Sequence, residues 1–82
     1  MPTVLRAGGF RVLILLPPRE HAPPHVHVWN ADGEVVITLA VEDRPQTVRT
    51  VAGMRPADVT AAFWLVEEHT NYLLERWREF HG

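Results

Sequence analysis

Pro23 and Pro24, set between His21 and the pair His25 and His27, constrain this chain more than any other feature. Each ring locks φ, and each proline pushes the residue before it out of helical space. Ala22 and Pro23 are therefore extended, and no helix runs through residues 20–28. His21 is held a few residues from His25, and His25-Val26-His27-Val28-Trp29 enters a strand. Side chains alternate along a strand, so His25, His27 and Trp29 share one face and Val26 and Val28 the other. Asn30-Ala31-Asp32-Gly33 is a turn signal, and residues 34–39 read as the return strand of a hairpin. Setting Val26 and Val28 on the side of Val35, Ile37 and Leu39 makes one face wholly apolar. The histidines then lie opposite the core.

Upstream, residues 3–6, the Gly8-Gly9 break and residues 10–16 read as a tight hairpin, because Gly-Gly supplies the positive φ values of a two-residue turn. This loop sets Leu5 opposite Val12, Thr3 opposite Ile14, Arg6 opposite Arg11 and Val4 opposite Leu13. One face carries Leu5, Phe10, Val12, Ile14 and Leu16; the other carries Val4, Arg6, Arg11, Leu13 and Leu15. Downstream, Glu42 to Pro45 form a turn and residues 47–51 a short strand ending near Gly53. From Pro56 the period changes. Val59, Phe63, Val66, Thr70, Leu73, Trp77 and Phe80 recur at three and four residues, as in an amphipathic helix about 36 Å long over 56–80. Pro56 suits its first turn and Asp58 its positive end.

These elements predict an α+β fold: an antiparallel sheet of four to five strands (two hairpins) with one long C-terminal helix packed on one face. The chain reads as a single domain over 1–82, sheet about 3–52 and helix about 56–80. One helix covers one face. The uncovered face is expected to carry Arg6, Arg11, His25, His27, Trp29 and Thr38. A chain of 82 residues has little apolar surface to bury, so a homo-oligomer or a complex is expected.

Charge narrows the partners. Eight Arg and no Lys against ten acidic residues leave −2, which gives no support for general nucleic-acid affinity. The acidity lies in the C-terminal segment: residues 1–52 balance five Arg with five acidic residues, while 53–82 hold three Arg and five acidic residues. Cysteine is absent, as suits a reducing compartment. With no signal-peptide pattern and no long apolar run, a soluble cytoplasmic protein without membrane contact is expected.

Three chemistries suit the histidine stretch. His21, His25 and His27 have the imidazole spacing of a site for zinc or another transition metal, with Glu20 or Glu34 as ligand or supporting carboxylate; a site with no cofactor is the equal alternative. Two of these histidines also suit acid and base roles in a ribonuclease-type toxin, with Arg6 or Arg11 holding phosphate and Trp29 stacking on a base. The third reading involves no catalysis: the open face binds a protein partner, Arg6 and Arg11 meeting acidic residues and Trp29 supplying buried area. On the helix, His69 reads as a packing residue, and Trp64, Leu65 and Tyr72 lie off the apolar stripe, where they suit contact with a partner.

The opening residues 1–6, the Gly8-Gly9-Phe10-Arg11 turn and above all Glu20-His21-x-Pro23-Pro24-His25-Val26-His27-Val28 resemble the small bacterial domain-of-unknown-function family numbered 4160. The resemblance continues through Asp32-Gly33-Glu34 and the helix pattern Trp64, His69, Leu73-Leu74-Glu75 and Trp77. Carried over residue by residue, the family's pattern marks Arg6, His21, Pro23, Pro24, His25, His27, His69 and Trp77. The resemblance also implies a partner, a small protein encoded by an adjacent gene, in a toxin–antitoxin-like pair. The Pro17-Pro18-Arg19 lead-in and the lack of Lys depart from the family's pattern.

Overall fold

The computed structural model describes residues 2–17 and 22–82. Gly8 and Gly9, with φ of 55° and 82°, turn the chain between β1 (Thr3–Ala7) and β2 (Phe10–Leu13). β3 (His25–Trp29) and β4 (Glu34–Thr38) form the second hairpin, and β5 (Thr47–Ala52) completes the sheet. The strands pair in chain order, all antiparallel. The fold is α+β, a five-stranded antiparallel sheet with a helical C-terminal region packed against it.

The β3–β4 register sets Val26 beside Ile37 and Val28 beside Val35, as the alternation predicts. Asn30 fixes the turn between them: its Oδ1 accepts the amides of Asp32 and Gly33, each at 2.9 Å. Gly33 answers a packing demand instead. A Cβ there would run into the carbonyl of Ala52 and lie 2.8 Å from the Met54 amide nitrogen. In β1, Leu5 faces Val12 and Arg6 faces Arg11 as expected, but Thr3 pairs with Leu13 and not with Ile14. Val4 is the extra residue of a bulge, which turns its side chain into the core and away from Arg6 and Leu13, correcting the predicted face.

The helical span begins at Pro56 as expected but consists of α1 (Pro56–Glu68) and α2 (Thr70–His81), separated at His69. The His69 ring causes the break. Its Nδ1–H donates to the Leu65 carbonyl at 2.9 Å, the acceptor its own amide would take in a continuous helix, and that amide bonds Val66 O at 3.1 Å instead. The Thr70 hydroxyl satisfies the Glu67 carbonyl at 3.0 Å. With the axis broken, α1 lies against β4 while α2 reaches the other half of the sheet. There Tyr72 donates its hydroxyl to Val4 O and His81 its Nε2–H to Leu15 O, both at 2.8 Å. Ala62 and Val66 of α1 and Leu73 and Trp77 of α2 close the core over Val12, Val26, Val28, Val35 and Ile37.

Candidate functional surface

The register aligns side chains on the face away from that core. Arg6, Arg11, Trp29 and Glu34 form one row across β1 to β4; Leu13, His27 and Val36 form the next, and His25 and Thr38 the last. Arg6 is exposed, while Arg11, His27, Trp29, Glu34 and Thr38 are half-buried.

Glu34 joins the first two rows. Its Oε2 accepts the Trp29 indole N–H at 2.6 Å and lies 3.0 Å from His27 Nδ1. An ionised carboxylate only accepts, so the His27 proton sits on Nδ1 and Nε2 is the basic nitrogen of the neutral ring. His25 is fixed in the same sense, because its Nδ1 faces the Pro23 carbonyl at 2.9 Å and a carbonyl cannot donate. A cis peptide bond joins Ala22 to Pro23. Arg11 lies over the Trp29 ring, 5.5 Å from its centroid, and donates Nη2–H to Thr3 Oγ1 at 2.8 Å. Its Nε is buried with no hydrogen-bond partner. Among the described residues neither Arg6 nor Arg11 forms an ion pair, although the two stand directly opposite each other.

His25 departs from the expected open face. It is only 3% exposed. β2 leaves the ladder at Leu13, opposite His27, two residues short of His25, so His25 is paired only with Thr38 of β4. Trp77 reaches this end of the sheet. Its ring lies 5.2 Å from that of His25 and stacks on His81 at 3.8 Å and 13°, while His25 meets His27 edge-on at 5.6 Å. A row of four rings thus runs from β3 to the end of α2. The sequence carried a signal for its outer member, since His81 follows Trp77 by four residues and so shares its helix face.

His21, the first of the three sequence-level histidines, lies outside the described residues, as does Glu20. Among the described residues no three His, Asp or Glu side chains gather as a metal-ligand set. His25 and His27 are brought together, Glu34 links His27 to Trp29, Arg11 lies over the Trp29 ring, and Arg6 closes that row at the edge strand.

A family model described as a domain of unknown function, DUF4160, matches residues 9–78. The chain belongs to this family. The DUF4160 match takes in every candidate site residue except Arg6, and it includes His69 and Trp77 but stops short of His81. No curated protein and no solved structure matches the chain. Among the described residues no helix is long and apolar enough to cross a membrane.

Proposed function

We propose that this DUF4160 chain is the partner-binding component of a two-protein module of toxin–antitoxin type, and that it engages an acidic segment of its partner through Arg6, Arg11 and Trp29. The observation that carries this is the Arg6–Arg11 pair. Two guanidinium groups directly opposite on neighbouring strands repel each other, and among the described residues no carboxylate bridges either one. Glu34, in the same row, is engaged by His27 and Trp29. An acidic partner segment relieves that repulsion, pairs with the exposed Arg6 guanidinium, and covers the Trp29 ring. Size supports the reading as well, because a short chain with a thin core gains stability from a bound partner.

The test is co-expression with the product of the adjacent gene, followed by size-exclusion chromatography. Wild-type chain and partner are expected to elute together. Arg6→Glu, on an exposed side chain, is expected to separate them without lowering the melting temperature, since the new carboxylate stands opposite Arg11 and relieves the repulsion. Co-elution unchanged by the charge reversal would refute the reading.

A second reading rests on the His27–Glu34 pair, which fixes the orientation of one imidazole on the same face of the sheet as Arg11. That arrangement suits removal of a ribose 2′-OH proton. His25 is too deeply buried to serve as the matching acid, so among the described residues of the histidine stretch this reading involves His27 alone. RNA cleavage by the chain that disappears in His27→Asn would favour it over partner binding.

A further inference from the structure

The two edges of the sheet differ. β1 is protected: its bulge breaks the row at Val4, and the Tyr72 hydroxyl occupies the Val4 carbonyl. β5 has all six of its residues exposed and forms the other edge. Val48 and Val51 are 41% and 48% exposed, and Trp64 on the adjoining helix is 57% exposed. Val48, Val59, Phe63 and Trp64 line one shallow depression between β5 and α1. We infer that this edge is a self-association surface, on which a second copy of the chain pairs antiparallel to β5 about a two-fold axis.

The register makes the edge self-complementary. Val48 pairs with Ile37 and Val51 with Val35, so the bulge at Arg49 puts two valines three residues apart on the same, helix-side face. Antiparallel pairing of two β5 strands about the 49–50 midpoint sets each Val48 against the other copy's Val51. It also sets Arg49 beside Thr50 and keeps the two Arg49 side chains from facing each other directly.

The helices agree with this register. Gln46 donates to Phe63 O at 2.9 Å, and Asn30 bonds Asp58 at 3.3 Å, so α1 runs antiparallel to β5 with residues 60–61 beside the strand midpoint. The outward face of α1 at this point is Ala57, Thr60, Ala61 and Trp64, exposed and without charge. Small residues at the axis let two helices approach, and each Trp64 then covers the other copy's Ala57. Charge matches at the ends, where Glu67 and Glu68 approach Arg55 of the second copy, whose side chain is 75% exposed. β5 and α1 are each about 20 Å long. Their paired edges bury on the order of 1,000 Å² in all, near the lower bound for a specific interface, as suits a reversible dimer.

Sedimentation equilibrium over a concentration series tests the inference. The wild-type chain is expected to pass from its 9.3 kDa monomer to twice that mass between low micromolar and high micromolar concentration. The double variant Val48→Lys with Trp64→Glu, both at exposed positions, is expected to stay monomeric with an unchanged circular dichroism spectrum. Arg6→Glu, on the opposite edge strand, is expected to dimerise like wild type, which keeps this test separate from that of the partner-binding face. Amide exchange should slow at Thr47 to Ala52 as concentration rises. A chain that stays monomeric throughout, or a dimer that survives the double substitution, would overturn the proposal.

Discussion

Trp77→Ala is the substitution that should damage the fold most, and its size follows from the geometry. The ring is 5% exposed and belongs to the core cluster. Truncating a buried Trp to Ala costs about 3–5 kcal/mol in transfer and cavity terms. Part of that is the stack on His81 at 3.8 Å, since an aromatic pair is worth about 0.5–1.5 kcal/mol beyond its buried area. A chain of 82 residues has a total stability of about 4–12 kcal/mol, so the variant should be marginal. With a urea slope of about 1 kcal/mol/M for a domain of this size, the unfolding midpoint should fall by about 3 M or more. His81→Ala, which loses the stack and the bond to Leu15 O, should cost about 1–2 kcal/mol, and the double variant should cost less than the sum. A Trp77→Ala loss below about 1 kcal/mol would mean that Trp77 does not close the core at the His25 end of the sheet.

Two further substitutions test local claims. Gly33→Ala drives a Cβ into the Ala52 carbonyl with backbone on every near side, and should cost more than about 2 kcal/mol by thermal unfolding; a neutral result would refute the close approach of the Gly33 turn to residues 52–54. Glu34→Gln keeps the shape but replaces the ionic acceptor shared by Trp29 and His27, and should cost about 1–2 kcal/mol by urea titration; a stabilising change would mean that the carboxylate does not hold those two rings.

Features set by local rules were readable in the sequence. The Gly8-Gly9 turn, the pairing of Val26 and Val28 with Ile37 and Val35, and the helix start at Pro56 each depend on residues close in the chain. Glu34 was legible too, because a carboxylate directly across the ladder from Trp29 and next to the His27–Val36 pair lies within reach of both rings. Three features were not. The Val4 bulge is a choice between two registers that alternation alone cannot make. The break at His69 depends on a ring taking a carbonyl from its own helix, while the apolar period runs through the break uninterrupted. The burial of His25 depends on where β2 ends and on Trp77, fifty-two positions later in the chain, reaching the gap beside it. Period and parity describe single elements, and these features arise where elements meet.

The proposed role of the Arg6–Arg11–Trp29 row is to bind an acidic partner. Isothermal titration of the purified adjacent-gene product into the wild-type chain and into Arg6→Glu, each at low and high salt, measures that binding. Wild-type binding is expected to weaken with salt, and charge reversal to cost about tenfold or more, equivalent to about 1.4 kcal/mol. Affinity that is the same in both proteins and insensitive to salt would contradict that role.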